Sequence, residues 1–121
     1  MFDVDDFKLI NDLKGHVEGD RALLQVSNIL KTSLSDKGGF LARYGGDEFI
    51  MILKDCSEED IKEIFDIIDK EVKKNNENNN NYNIGISRGY AKMKDDEDFI
   101  SLINRADLKL YEMKKNKNVG R

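Results

Sequence analysis

The sequence has few of the features that mark a membrane protein or a disulfide-bonded protein. Its longest unbroken apolar stretch runs only from Phe49 to Leu53, whereas a membrane-spanning helix needs about 20 apolar residues. No secretory signal peptide is recognisable. The single cysteine, Cys56, excludes an internal disulfide and a cysteine-only metal site. We therefore expect a cytoplasmic domain without membrane contact, in which Cys56 is a small buried hydrophobic residue.

Positive charge is also scarce in this chain. It has 20 lysines and arginines against 24 aspartates and glutamates, which gives a formal net charge of -4. This balance argues against broad binding of DNA or RNA through a basic face, so we predict no nucleic-acid partner. A ligand that carries phosphates would need local lysines or arginines, or a bound divalent cation, to neutralise its charge.

The residues that are present suffice for one domain. The chain has 121 residues, of which 39% are hydrophobic and 36% are charged. These values are typical of a globular protein with one core and a charged surface. Neither an internal repeat nor an interdomain linker is evident, so we treat residues 1–121 as a single domain.

Apolar residues at three- and four-residue steps predict four helices. The first two span roughly residues 5–14 and 18–35, and a glycine ends the first of them. The third begins at Ser57, which together with Glu59 and Asp60 is typical of a helix start. The fourth begins within residues 95–98. Its expected buried face comprises Phe99, Leu102, Ile103, Ala106, Leu110 and Met113.

Four β-prone stretches alternate with these helices. They comprise residues 1–4, 40–44, 48–53 and 82–91. The second and third form a hairpin across a Gly-Gly-Asp turn, and residues 48–53 are apolar on both faces, which is typical of a central strand. We interpret the asparagine-rich residues 75–83 as a solvated loop without a function of its own. The order of elements predicts a fold of the α+β or α/β class, with helices packed on a sheet.

Two acidic clusters lie at the ends of predicted strands. Asp3, Asp5 and Asp6 lie where the first strand ends, and Asp47 and Glu48 are at the hairpin tip. If these strands are neighbours, the carboxylates of Asp3 and Asp47 lie close enough to share Mg²⁺, which binds one or two carboxylates together with substrate phosphates. Phosphoryl transfer with two metal ions needs such an arrangement. An ordinary hairpin turn with solvated acids explains the same residues, so spacing alone leaves both interpretations open.

Six short sequence motifs are spread over almost the whole chain. They are Phe2-Asp3-Val4-Asp5-Asp6-Phe7-Lys8-Leu9-Ile10-Asn11-Asp12, Gly15-His16, Gly19-Asp20, Arg43-Tyr44-Gly45-Gly46-Asp47-Glu48-Phe49, Ile86-Ser87-Arg88-Gly89-Tyr90-Ala91, and Arg105-Ala106-Asp107 with Tyr111 and Lys114. Together they resemble the GGDEF domain, the diguanylate cyclase family, which condenses two GTP molecules into cyclic di-GMP. The resemblance implies an α+β fold with a central, mostly antiparallel sheet flanked by helices and a palm-like, ferredoxin-like core.

The resemblance also assigns metal-binding and catalytic roles. Asp3, Asp47 and the backbone carbonyl of Val4 would hold two Mg²⁺ ions, with Mn²⁺ as an alternative. Asp47 matches the position that helps to deprotonate the attacking ribose 3′-hydroxyl. Glu48 supports the same turn, although only one of two successive strand residues can face the site.

Five further positions match the substrate-binding set of the family. Asn11 and Asp20 match the residues that bind the guanine edge, and a carboxylate suits the donors at guanine N1 and N2. Phe7, Lys8 and Lys114 complete the set. Each has a structural alternative: Asp20 and Lys114 would favour a helix dipole, Asn11 would cap a helix, and Lys8 would form an exposed pair.

The sequence departs from the family in three places. Residues 36–39 read Asp-Lys-Gly-Gly where many members have the Arg-x-x-Asp inhibitory site, so we expect no product inhibition there. Residues 115–118 read Lys-Asn-Lys-Asn in place of a segment with Gly-Arg-Asn, which weakens the case for phosphate contacts from this tail. The helix and most of the strand that precede Asp3 in the family are missing, so we expect a truncated N-terminus and an upstream sensory domain in the parent protein.

Three functions follow from these observations. The first is a diguanylate cyclase domain that binds one GTP and acts as a homodimer, because the product is symmetric. The second is an inert module that binds GTP or metal, or only dimerises. The third is an enzyme that makes a mixed guanine-adenine dinucleotide, which Asp20 disfavours.

Overall fold

The computed structural model describes residues 1–34, 37–79 and 81–119. Within them the chain forms four strands and four helices. The elements are β1 (Phe2–Val4), α1 (Phe7–Lys14), α2 (His16–Leu34), β2 (Phe40–Gly45), β3 (Glu48–Ile52), α3 (Glu58–Glu77), β4 (Ile86–Arg88) and α4 (Phe99–Val119). The four predicted helices and the hairpin are confirmed within these bounds. Of the helices in this part of the chain, none is long and apolar enough to cross a membrane.

The strands form one sheet in the order β2-β3-β1-β4, and every neighbouring pair is antiparallel. The predicted α+β class and the central position of β3 are therefore confirmed. In the register of β1, Asp3 lies opposite Glu48 of β3 on one side and opposite Ser87 of β4 on the other. The hairpin turn is closed by a 2.8 Å hydrogen bond that the Arg43 Nε–H donates to the carbonyl of Gly46.

Hydrophobic packing covers both faces of the sheet. Side chains alternate between the two faces of a strand, so Phe2 and Val4 share a face and Asp3 points to the other. The first face packs against α2 and α3 and forms the larger core, which includes Phe2, Val4, Val26, Leu30, Phe49, Ile64 and Ile68. The second face carries a smaller cluster of Met1, Ile50, Ala106 and Leu110, and the last two belong to α4. Asp3 therefore lies on the face that α4 covers.

Local signals set the helix boundaries. Helix α2 begins at His16, two residues earlier than predicted, immediately after Gly15, whose φ of 89° suits glycine. Its predicted end at Ser35 lies outside the described residues. Helix α3 begins with a complete capping box, in which the Ser57 hydroxyl accepts from the Asp60 N–H and the Asp60 carboxylate accepts from the Ser57 N–H.

The asparagine-rich segment was wrongly predicted to be a loop throughout. Helix α3 continues to Glu77, and the Asn76 side chain bonds Ile84 twice: it donates to the carbonyl at 2.9 Å and accepts from the N–H at 2.8 Å. The amide thus replaces a neighbouring strand as the backbone partner of Ile84. The predicted strand over residues 82–91 is confined to Ile86–Arg88.

Two predictions of burial are also wrong. Phe99 is 48% exposed because it is the first residue of α4, where the helix has not yet reached the cluster at Ala106. Cys56 is only partly buried, and it lies in the connection just before α3.

Candidate functional site

Asp3 is the central residue of the acidic site. It is 6% exposed, and its Oδ2 accepts a hydrogen bond from the Lys114 ammonium on α4. Its other oxygen, Oδ1, is buried and has no hydrogen-bond partner among residues 1–34, 37–79 and 81–119. A buried acceptor without a partner costs free energy. The cost is recovered when a ligand supplies the missing contact, so Asp3 Oδ1 marks a position for a cation or a donor.

The hairpin turn brings further carboxylates to Asp3. The Asp47 carbonyl accepts from the Val4 N–H at 3.1 Å, which fixes the turn against the end of β1. The Asp47 carboxyl group lies beside that of Asp3. Glu48 is opposite Asp3 in the β1–β3 register, and residues opposite each other point to the same face. The structure therefore brings Asp47 beside Asp3 and places Glu48 on the same face of the sheet as Asp3.

The charges in this cluster are unbalanced. Burial raises the pKa of Asp3, the bond from Lys114 opposes that rise, and the neighbouring Asp47 carboxyl adds to it, so the net shift is upward. Burial alone would lower the pKa of Lys114, but its bond to Asp3 and the nearby charges of Asp47 and Asp5 raise it overall. The Lys114 ammonium thus faces Asp3, Asp47 and Asp5, of which Asp5 also pairs with Lys117, and a further cation would be attracted to the cluster.

A second ion pair was missed in the sequence. The Lys117 ammonium donates to Asp5 Oδ2 at 2.7 Å, and Asp5 Oδ1 accepts from the buried Ser87 hydroxyl at 2.5 Å. Asp3 and Asp5 are two residues apart on the same face of an extended segment, while Lys114 and Lys117 are one helical turn apart. This matched spacing of acids and lysines is the signal that could have revealed the pairing. The tail that departs from the family therefore still directs a lysine towards the site.

The acidic site fits Mg²⁺ only as a shared site. In the part of the chain that the structure describes, no group of three or more His, Cys, Asp or Glu side chains is arranged to hold a metal ion alone. Mg²⁺ often binds one or two carboxylates and completes its octahedron with water and substrate phosphates. Asp3, whose buried Oδ1 has no partner among the residues that the structure describes, and the adjacent Asp47 are carboxylates of this kind, so the residues present fit the ion.

The predicted base-binding residues lie on the α1–α2 helix pair. Asn11 is half-buried on α1, and Asp20 is exposed on α2. The Asn11 amide lies directly against Gly19: a Cβ added at Gly19 would be 1.7 Å from Asn11 Oδ1. Asn11 is thus in contact with the residue that precedes Asp20. The ring of Phe7 is half-buried and packs against the larger core, and Lys8 is exposed on α1.

Comparison with known proteins identifies one family. The family model described as "Diguanylate cyclase, GGDEF domain" matches residues 1–119. Among curated proteins, Diguanylate cyclase A of Treponema denticola is 38% identical over 119 residues, which are 96% of this chain and 32% of that protein. Diguanylate cyclase DgcP of Escherichia coli is 34% identical over 120 residues, 97% of this chain and 35% of that protein. The chain spans about a third of the length of these relatives.

Solved structures agree with the fold. The GGDEF domain of DgcB from Caulobacter crescentus, solved in complex with c-di-GMP, is 32% identical with a TM-score of 0.85, and the match covers 95% of this chain and 70% of that one. The active GGEEF domain of a diguanylate cyclase from Vibrio cholerae is 31% identical with a TM-score of 0.78, and the match covers 95% of this chain and 74% of that one. The predicted palm-like architecture is therefore confirmed.

Proposed function

Because the chain belongs to the GGDEF family of diguanylate cyclases, we propose that it is a catalytic domain that condenses two GTP molecules into cyclic di-GMP and releases pyrophosphate. The observation that supports the proposal is the buried Asp3 beside the half-buried Asp47, in which Asp3 Oδ1 has no partner within the described parts of the chain. A structural acid would have both oxygens bonded, whereas a site for a metal-bound triphosphate keeps one available.

Asp3, Asp47 and the Val4 carbonyl would hold the metal ions. When bound, two Mg²⁺ ions, or Mn²⁺ in their place, neutralise the charge of the triphosphate and polarise the α-phosphate. Lys114 places an ammonium group on Asp3, and Lys117 places another on the nearby Asp5. With the triphosphate bound, these ammonium groups would be available to contact its phosphates. An acidic domain can thereby bind an anionic substrate.

Asp47 accepts the proton in the bond-forming step. The 3′-hydroxyl oxygen of one GTP attacks the α-phosphorus of the other, its proton passes to the Asp47 carboxylate, and the bond to the leaving pyrophosphate breaks. The 3′-hydroxyl of the second GTP attacks the α-phosphorus of the first in the same way, a second pyrophosphate leaves, and the ring is closed. Glu48 lies on the same face as Asp3, where it adds negative charge that retains the metal.

Guanine recognition and pairing complete the proposal. The Asp20 carboxylate accepts from guanine N1–H and N2–H, the Asn11 amide binds the same base, and Phe7 and Lys8 support this binding region. Each domain holds one GTP, so two copies must face each other to join two nucleotides. Control of this pairing by a sensory domain in a longer cytoplasmic or membrane-attached protein is part of the proposal, since the curated relatives are about three times as long as the matched region.

Incubation with GTP and Mg²⁺, followed by chromatography of the products, tests this function. The protein that carries this chain should form cyclic di-GMP and pyrophosphate. Asp47→Asn should abolish the product, and Asp66→Asn, which changes an exposed acid of α3, should not. Binding of GTP without turnover under conditions that activate a known cyclase would identify an inert module instead, and would contradict the proposal.

A further inference from the structure

Gly19 lies in α2, and because it has no side chain it leaves room for a residue of α1. It is buried, and the Asn11 amide of α1 occupies the space where its Cβ would lie: the added atom would be 1.7 Å from Oδ1 and 2.8 Å from Cγ of Asn11. Gly19 is inside the helix, so a left-handed conformation does not explain the glycine. Alanine is more favourable than glycine at such a position. The contact with Asn11 is what an alanine would disturb.

The surroundings hold the backbone on both sides of this contact. The Gly15 N–H donates to the Asn11 carbonyl at 2.9 Å, and the Gly19 N–H donates to the Gly15 carbonyl at 3.0 Å. The Tyr82 hydroxyl donates to the Glu18 carbonyl at 3.3 Å, next to Gly19. Because these bonds fix both backbones, a side chain at position 19 would displace the flexible Asn11 amide and leave the helices in place.

We propose that Gly19 is a positioning residue for nucleotide recognition: its bare α-carbon lets the Asn11 amide lie on α2, beside Asp20, where both side chains reach one guanine base. This inference rests on the proposed function, because it needs Asn11 to bind the base. Gly19 does not touch the nucleotide in this arrangement. It sets where the amide group of Asn11 can be.

The test is a double-mutant cycle of Gly19→Ala and Asn11→Ala, with Kd for GTP measured by calorimetry in the presence of Ca²⁺. Gly19→Ala should weaken GTP binding about tenfold, the usual effect of one lost hydrogen bond. In the Asn11→Ala background the same substitution should leave the Kd unchanged. Asn28→Ala, an exposed position of α2, is the matched control for helix propensity, and it should not affect GTP binding.

Thermal unfolding of the same variants supplies a second reading. Gly19→Ala should change the Tm more favourably in the Asn11→Ala background than alone, by up to about 5 °C, because the helix gains propensity there without a clash. If Gly19→Ala alone lowers the Tm, recovery in the double variant supports the contact. A loss in both backgrounds overturns the proposal.

The binding results are equally decisive. An unchanged Kd for Gly19→Ala, or an equal loss in both backgrounds, would show that Gly19 acts independently of Asn11 and would overturn the proposal. If the unchanged protein does not bind GTP, the proposed function fails. The contact between Gly19 and Asn11 is then judged separately by the Tm cycle, in which equal effects in both backgrounds would refute it.

Discussion

Two carboxylates of this domain, Asp3 and Asp60, each pair with a lysine, yet their surroundings are opposite. Asp60 accepts from the Ser57 N–H at 3.0 Å and from Lys37 Nζ at 3.1 Å, and these bonds, with the Ser57 N–H the largest influence, lower its pKa to about 2. Asp3 is buried beside Asp47, its Oδ1 has no partner within the described ranges, and its pKa is raised.

The difference separates a structural acid from a ligand-binding acid. The charge of Asp60 is favourable in the folded state, because each oxygen is bonded and the helix N-terminus attracts it. The charge of Asp3 is unfavourable until something binds, because burial and a second carboxylate oppose ionisation. Loss of Asp60 or of its bonding partners should therefore cost stability, whereas loss of the Asp3 carboxylate should cost activity.

The largest expected effect is that of Asp3→Asn on turnover. The substitution keeps the shape but removes the proposed metal ligand, and metal catalysis is worth several kcal/mol in the transition state, or about 10³-fold in rate. The Tm should be unchanged or higher, since a poorly solvated charge is removed. The rate of cyclic di-GMP formation and a thermal melt measure both effects. A normal rate of cyclic di-GMP formation in this variant would show that Asp3 is not part of the catalytic site.

Lys114→Ala should reduce stability and make it dependent on metal. Removal of the ammonium leaves the buried Asp3 charge uncompensated, at a cost of roughly 1–2 kcal/mol when the partial exposure of Lys114 is taken into account. Mg²⁺ should then raise the Tm of this variant more than that of the unchanged protein. Lys109→Ala, an exposed position of α4, is the control. Equal Mg²⁺ responses in all three proteins would contradict this account.

Ser57→Ala, at the start of α3, should have a smaller effect, and this effect should be on stability and not on activity. Ser57→Ala removes the hydroxyl that accepts from the Asp60 N–H, and loss of such a cap costs about 1 kcal/mol of unfolding free energy. Turnover should stay within experimental error. Denaturant unfolding and the cyclase assay give the two readings, and a clear loss of activity without loss of stability would break the comparison.

The smallest expected effect is the acid dependence of stability that Asp60 contributes. Its folded-state pKa is about 2, below the ordinary value of 3.8, so its contribution is present above about pH 4 and is lost as the pH falls towards 2. Asp60→Asn should therefore flatten the stability profile between pH 4 and pH 2. An unchanged acid limb in that variant would show that other groups control it.

The sequence predicted local features best. Helix spacing, the start of α3 and the Gly-Gly-Asp hairpin depend on neighbouring residues, and the structure confirms them. The proximity of Asp3 and Asp47 was predicted on the condition that β1 adjoins the hairpin, which it does. The pairing of Lys117 with Asp5 was not predicted, because 112 positions separate them and only the packing of α4 on the sheet brings them together.

Two other contacts were not predicted for the same reason, because they depend on how separate elements pack. Asn76 was predicted to lie in a solvated loop, but its side chain bonds the backbone of Ile84 and so has a structural role. The contact between Gly19 and Asn11 depends on how closely α1 and α2 approach, which composition and periodicity do not specify.

Binding of Mn²⁺ at saturating concentrations of a non-hydrolysable GTP analogue tests the central claim most directly. Electron paramagnetic resonance counts the ions retained by the protein that carries this chain, by the Asp3→Asn/Asp47→Asn double variant, and by the Asp66→Asn control. The account predicts that the unchanged protein and the control retain the same number of ions per domain, and that the double variant retains far fewer while it keeps its Tm. Equal retention by the double variant would contradict the assignment of Asp3 and Asp47 as the metal site.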